Sequence, residues 1–204
     1  MEIMLKEFAV HLPDDYGQVQ SMPGDPVGSI SFMKQTSNSA CLAMYTPIPA
    51  EQAMPFNSVE QVIDGIRSVL APDQGIIEVN AGGTAYERKF IYSIIKTVNR
   101  GGVQGVQYIL TMHIGYYSDY VFQCQAFFDE TGLIGAREAS VFAILENEQK
   151  VGPNGEGWVK DPYDETYAQG QLMNWSEVTD YDSTFPEHPL SQARALVQFL
   201  IDNN

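Results

Sequence analysis

The spacing of apolar residues is clearest in one helix in the first half of the chain. Ser58 and Gln61 form a capping box at its start, and Pro72 marks its end. Between them, one face of a helix is formed by Val59, Val62, Ile63, Ile66, Val69 and Leu70. The pattern therefore predicts an amphipathic helix whose apolar face packs on a core.

Alternating apolar and polar residues predict strands on both sides of this helix. The predicted strands cover residues 8–12, 28–34, 40–45, 76–79, 87–98, 106–116 and 120–128. Pro47, Pro49 and Pro55 predict an irregular link over residues 46–57, because each proline fixes its own φ and restricts its predecessor. The glycine-rich run Gly101–Gly105 predicts a hairpin turn, since it lacks the lysine of a phosphate-binding loop.

Two further helical patterns follow these strands. One runs from Ile134 to Leu145, and the other runs from Leu190 to Ile201 with Pro189 in its first turn. This order of elements predicts an α+β fold, an antiparallel meander sheet flanked by helices. Glycines and a proline within residues 151–157 interrupt any regular element. We therefore expect an α+β domain over residues 1–150, and an irregular acidic appendage over residues 151–204 that packs on the domain and ends in a helix.

The charge of the chain narrows the classes of partner. Its 204 residues include 26 Asp and Glu but 11 Lys and Arg, which gives a formal charge of −15. Such a surface repels phosphate backbones and anionic lipid headgroups, so we expect neither nucleic-acid nor membrane binding. The first residues lack the pattern of a secretory leader, and no run of about 18 apolar residues occurs. A cytoplasmic location is therefore expected.

Candidate chemistry is sparse in this sequence. His11, His113 and His188 lie far apart, and Cys41 and Cys124 belong to no CxxC pair. We therefore expect a non-catalytic protein without metal or cofactor, with both cysteines buried and reduced. The alternative is an enzyme that uses His113 or Cys124 in a pocket of the sheet. Whether these two share a sheet face depends on the register of the hairpin that joins their strands.

The appendage has the composition of a protein-binding surface. Residues 151–204 carry nine acids and two bases, net −7, with aromatic residues between the acids. Rings supply contact area, while carboxylates steer the encounter with a basic or amphipathic protein. The candidate partner-binding residues are Trp158, Asp161, Tyr163, Asp164 and Glu165. Two other interpretations stand beside this one: the rings pin the appendage to its own domain, or the C-terminal helix mediates homodimerisation of a structural subunit.

The order of elements resembles that of the PsbP/DcrB-like superfamily. The resemblance covers about residues 5–148 and is carried by the strand and turn Phe8–Pro13, the hairpin through Tyr45, the helix Ser58–Leu70, the meander ending at Phe122 and the helix after Gly132. It implies an α/β/α sandwich and a non-catalytic adaptor, chaperone or immunity-type protein linked to a secretion system, and it transfers no site residue. The segment with Asp161-Pro162-Tyr163 and Phe185-Pro186-Glu187-His188-Pro189 resembles a C-terminal segment of small intracellular proteins of Gram-positive bacteria.

Overall fold

The computed structural model describes residues 1–5, 8–21, 23–98, 105–116 and 119–204. Residues 101–104 of the predicted hairpin turn lie outside this part of the chain. The strands are β1 (Glu2–Leu5), β2 (Phe8–His11), β3 (Gly17–Val19), β4 (Ile30–Gln35), β5 (Ser39–Pro49), β6 (Gln74–Gly83), β7 (Lys89–Val98), β8 (Val106–Gly115), β9 (Tyr120–Glu130), β10 (Val159–Lys160) and β11 (Met173–Asn174). The helices are α1 (Val59–Arg67), α2 (Ala136–Asn147) and α3 (Pro189–Asn203).

Seven strands form one antiparallel sheet in the order β3-β4-β5-β9-β8-β7-β6. The run from β6 to β9 is the meander that the alternation predicts, and β5 joins it by pairing with β9 along its whole length. The α+β class, with an antiparallel sheet flanked by helices, is therefore confirmed. Within the described residues, no helix combines the length and the apolar composition needed to cross a membrane.

One face of the sheet packs against α3. Tyr45, Leu110 and Phe122, from β5, β8 and β9, are fully buried in one cluster with Leu196 and Leu200 of α3. Every second residue of these strands faces α3, and every third or fourth residue of α3 faces the sheet. The appendage thus supplies a helix to the main core.

The short hairpin of β1 and β2 is joined to the end of α3. The Asn204 side chain accepts the His11 N–H at 2.8 Å and donates to the His11 carbonyl at 3.0 Å. Leu5 and Val10 of the hairpin are buried in the core that α3 covers. The sequence predicts β2 but not β1 or β3, since β1 has three apolar residues in succession and β3 has only three residues.

On the opposite face, α1 covers the region of β6 and β7. Val62 and Ile63 of α1 pack in one cluster with Ile91 of β7. The predicted N-cap of this helix is confirmed, because the Ser58 hydroxyl accepts the Gln61 N–H at 3.2 Å. The cap and the apolar residues from Val59 to Ile66 therefore place α1 as the sequence predicts. The predicted end is wrong, because α1 ends at Arg67 and Val69 beyond it is 79% exposed.

The irregular link predicted over residues 46–57 is partly wrong, because β5 continues to Pro49. β4 ends opposite Tyr45, so that side of β5 is open beyond this residue. The Ala50 N–H donates to the carbonyl of Asp119 on the β9 side at 3.1 Å. Since backbone groups alternate along a strand, Pro47 and Pro49 point toward the open side, where a missing N–H costs no ladder bond.

Candidate functional site: the appendage contacts and an uncharged sheet face

Asp161, one of the candidate partner-binding residues, is buried (6% exposed). Its carboxylate pairs with Arg67 of α1 at 2.7 Å and accepts the N–H groups of Tyr163 and Asp164, both at 2.9 Å. The Arg67 guanidinium also lies 4.3 Å from the ring centroid of Tyr167. Asp161 therefore ties the appendage to α1, and its charge is balanced within the chain.

Trp158 and Tyr163 also contact residues of the same chain. Trp158 packs edge to face on Phe142 of α2, with ring centroids 5.2 Å apart. The Tyr163 hydroxyl accepts the Val79 N–H at 2.5 Å and donates to the Val79 carbonyl at 3.1 Å. Trp158 is half-buried and Tyr163 is 40% exposed. Each ring thus combines an intramolecular contact with a part that a partner can reach.

Asp164 and Glu165 differ from Asp161, because their carboxylates face solvent. The Asp164 carboxylate accepts the Thr166 hydroxyl at 2.7 Å and the Thr166 N–H at 2.9 Å. These hydrogen bonds lower the pKa of the Asp164 carboxyl. Glu165 is exposed. These two are therefore the acids of the candidate set that keep their charge at the surface.

Four ion pairs join the appendage to the rest of the chain. They are Arg67–Asp161, Lys96–Glu177, Arg137–Asp182 and Arg194–Glu78, with N···O distances of 2.7, 2.7, 2.9 and 2.8 Å. Setting these four acids and four bases aside leaves 22 acidic and 7 basic residues. The internal pairs leave the net charge at −15 but use a larger share of the bases than of the acids, so fewer bases remain to offset the other acids.

Glu177 is the most enclosed of these acids (0% exposed). One of its oxygens accepts Lys96 Nζ and the Asn174 N–H, both at 2.7 Å, and the other accepts the Tyr108 hydroxyl at 2.9 Å. Burial, and then the Glu177 charge, raise the pKa of Tyr108 well above its usual range. This carboxylate fixes residues 174–177 to the strands β7 and β8, since each of its bonds is made in a water-poor environment.

Arg137 plays a similar part for the segment before α3. Its side chain is buried (1% exposed) and donates to the carbonyls of Ser176 and Val178 at 2.6 and 3.1 Å. It also donates to Asp182 at 2.9 Å and to the Ser191 hydroxyl at 2.8 Å. One α2 side chain therefore holds four points of the appendage, because the guanidinium offers its donors in a fixed planar fork.

His113 and Cys124 lie on opposite faces of the sheet. The register places His113 opposite Gln123 and Cys124 opposite Met112. His113 Nδ1 accepts the Met54 N–H at 2.9 Å, and its Nε2 lies 3.0 Å from Gln123 Oε1. Burial lowers the pKa of His113. A neutral imidazole with both nitrogens bonded holds the segment around Met54 on the sheet, and no Cys/His pair forms between these two residues.

We expect both cysteines to react slowly with thiol reagents in the native protein. Cys41 and Cys124 are buried, and burial raises the pKa of Cys41 to about 12 and that of Cys124 further. Maleimide labelling at pH 8 should be at least about a hundredfold slower in native protein than in urea, because the thiolate is the reacting form. Mass spectrometry over time measures this ratio. Rapid modification of one native cysteine would contradict the expectation and favour the enzyme interpretation.

Three residues that sequence reasoning did not group converge near the start of α2. One ligand atom each from Glu130, Glu138 and His188 lie within 4.8 Å of one another. A cavity of about 250 Å³ opens beside Arg137 and is lined by Glu130 and His188. The sequence carries no signal for this cluster, because a strand end, a helix turn and a helix cap bring the three side chains together.

The part of the sheet beside α1 carries a continuous line of apolar side chains, which we call the apolar row. Adjacent strands pair these residues across the sheet, on the face opposite α3, in the order Met33, Leu42, Phe127, Ile109 and Ile95. Met33 is 47% exposed, and the other four are half-buried. An apolar line across five strands that stays in contact with water is typical of a binding surface.

The residues on either side of the apolar row are almost uncharged. The flanking positions on the same face are Ser31, Met44, Gln125, Thr111 and Ser93 on one side, and Gln35, Ala40, Asp129, Gln107 and Thr97 on the other. Asp129 is the one ionisable residue among these ten. Four of the ten, Ser31, Ser93, Thr97 and Gln107, are already buried within the chain. The positions that remain open carry one charge, whereas a sheet face that stays in water normally carries several, so this composition suits a surface that a partner covers.

Comparisons with known proteins give no assignment. No protein-family model matches the chain, and no curated protein matches it at a significant level.

Proposed function

We propose that this protein is a non-catalytic binding module that captures a basic, amphipathic helical segment of another protein on the apolar row. The observation that carries the proposal is the half-exposed, nearly uncharged sheet face beside α1. A helix laid on such a face buries its apolar stripe and leaves its polar side in solvent. We include in the proposal a cytoplasmic location and the PsbP/DcrB-like relationship, in an adaptor, chaperone or immunity-type role.

The neighbouring helix supports a helical occupant. α1 packs on the same face through Val62 and Ile63, and Ile95 at the end of the apolar row contacts the α1 cluster. A second helix beside α1 would continue this layer. The row crosses five strands, a span of roughly 19 Å at the usual strand spacing, which matches about 13 residues of helix.

The charge of the molecule supports a basic occupant. The 22 acidic residues outside the four ion pairs outnumber the 7 basic ones, and Asp129 borders the apolar row directly. Basic side chains on the polar side of the helix would be attracted during the encounter. This contribution shrinks as salt shortens the Debye length from about 10 Å at 0.1 M to about 3 Å at 1 M.

The appendage provides a second place where the same partner can make contact. Asp164 and Glu165 are charged at the surface, and Trp158 and Tyr163 keep exposed parts. We propose that these acids steer the partner while the apolar row anchors it. Neutralising Asp164 and Glu165 should then lower the association rate but leave the dissociation rate nearly unchanged.

A designed peptide tests this proposal. The probe is a helix of about 14 residues with a leucine stripe and lysines on its polar side, and fluorescence anisotropy measures its binding. We expect saturable binding that Phe127→Lys weakens about tenfold or more, because the new charge opposes both burial and a basic ligand. Ile144→Lys is the matched control, since Ile144 of α2 is 47% exposed but lies away from the row.

Two further peptides separate the contributions. A scrambled peptide of the same composition should bind weakly because it lacks the stripe, and a peptide with glutamates in place of lysines should be repelled. Equal loss of binding in Phe127→Lys and Ile144→Lys, or no saturable binding to wild type, would contradict the proposal. Sedimentation of the wild type distinguishes the homodimer, in which a second copy covers the row.

A further inference from the structure

The cluster near the start of α2 is built from three different elements. Glu130 lies at the end of β9, Glu138 in the first turn of α2, and His188 at the N-cap of α3. Their nearest ligand atoms are all within 4.8 Å of one another, and His188 is 5% exposed. Atoms bound to one Zn²⁺ in a tetrahedron lie about 3.3 Å apart, so small rotations of the two glutamate side chains bring all three groups onto one ion.

Two buried atoms of this cluster have no hydrogen-bond partner among the described residues. They are His188 Nε2 and Glu138 Oε2. Buried polar atoms are bonded in the great majority of cases, so an orphan in a native fold requires an explanation. An imidazole nitrogen and a carboxylate oxygen are both metal ligands, so one cation could bond to both of these atoms.

Two carboxylates of the cluster form no ion pair with a basic side chain of the described residues. The basic side chains nearby are each matched to another acid, in the pairs Lys96–Glu177, Arg137–Asp182 and Arg194–Glu78. Glu130 and Glu138 have no such partner base among the described residues. A partly buried pair of negative charges is costly unless it is protonated or paired, and one divalent cation balances both.

We propose that Glu130, Glu138 and His188 bind one divalent transition-metal ion, with Zn²⁺ as the best fit. Zinc accepts imidazole nitrogen and carboxylate oxygen together, whereas Mg²⁺ prefers oxygen ligands alone. Glu130 is already oriented, because its oxygens accept the Gly135 N–H at 2.7 Å and the Val106 N–H at 3.3 Å. This proposal differs from the expectation from sequence of a chain without a metal site.

Binding through Nε2 also changes the other side of the imidazole. The ring proton then resides on Nδ1, which now faces the Leu190 N–H at 3.3 Å and Arg137 Nη1 at 3.5 Å. Both contacts are long, and both are between donors once the ion is bound. The first turn of α3 must therefore adjust when the ion binds. The affinity for the ion is lower than at a site where the second ring nitrogen already faces a hydrogen-bond acceptor.

Calorimetric titration of the EDTA-treated protein tests the site. We expect one Zn²⁺ per chain, and no comparable binding of Mg²⁺ at the same concentration. Glu138→Gln and His188→Asn should each weaken Zn²⁺ binding roughly tenfold or more. Asn can still accept the N-cap hydrogen bond, so His188→Asn removes the ligand with little change to α3. Glu146→Gln changes an exposed acid of the same helix α2 and is the control, which should bind as wild type does.

Nitrogen NMR of the wild-type protein tests the site without a substitution that could disturb the fold. Zn²⁺ should shift the ring nitrogens of His188 and leave those of His11 and His113 unchanged. The absence of saturable binding would overturn the proposal. Equal affinity in wild type, Glu138→Gln and His188→Asn would also overturn it, because it would mean binding elsewhere on the surface. A shift confined to His11 would overturn it too, because it would place the ion at His11 and its neighbour Glu2.

Discussion

Lys96→Met should lower the free energy of unfolding by about 4 kcal/mol, because it leaves the buried Glu177 carboxylate without its counter-ion. Urea denaturation followed by circular dichroism measures the change. Lys96 and Glu177 are almost fully enclosed, at 4% and 0% exposed. The Tyr108 hydroxyl, which remains bonded to Glu177, offsets only part of the loss.

Two further variants isolate the cause. The double variant Lys96→Met/Glu177→Gln should recover much of the lost stability, since the uncompensated charge is gone. Lys150→Met removes one partner of the exposed Lys150–Glu148 pair and should leave the free energy of unfolding nearly unchanged. If Lys96→Met is no more damaging than Lys150→Met, the internal ion pairs do not hold the appendage in place.

Leu196→Asp should be at least as destabilising, by roughly 4 kcal/mol or more, since it opens a cavity and buries a carboxylate in the α3 core. Leu196 is 2% exposed between α3 and the sheet. Thermal and urea unfolding both measure the effect. Ala195→Asp introduces the same charge one position earlier in α3. Ala195 is exposed, so this change should alter stability only slightly.

Proteolysis gives an independent measure of the same contact. We expect cleavage in residues 151–204 to lower the melting temperature of the remaining chain, because α3 contributes Leu196 and Leu200 to the main core. A protease-trimmed chain with an unchanged melting temperature, or equal effects of Leu196→Asp and Ala195→Asp, would contradict this account.

The main elements of the fold could be predicted because their signals are local. The α1 stripe and its Ser58 cap lie within one short window, and the strand patterns of β7 to β9 extend over ten or more residues each, as apolar residues on both faces in β7 and as alternation in β8 and β9. The continuation of β5 through Pro47 could not be predicted in this way. Its tolerance depends on where β4 ends, which is a property of the sheet and not of the segment.

The candidate sites were harder to predict, because their partners are far apart in the chain. Asp161 has the local appearance of a solvated acid, yet it pairs with Arg67, ninety-four positions away. Glu130 and His188 likewise meet only after α2 and α3 have docked. Composition reports the excess of acids correctly, but it cannot show which acids are balanced inside the fold.

The contacts of Tyr163 have a consequence for the behaviour of the whole sheet. β6 is the last strand of the sheet, and its outer side would present a row of unpaired backbone groups. The Tyr163 hydroxyl occupies both groups of Val79, and the Gln171 N–H donates to the Gln74 carbonyl at 2.8 Å. Residues 163–171 thus act as a cap against strand addition by another molecule. Local detachment of this segment, with α3 still docked, exposes a template for aggregation while the core is folded.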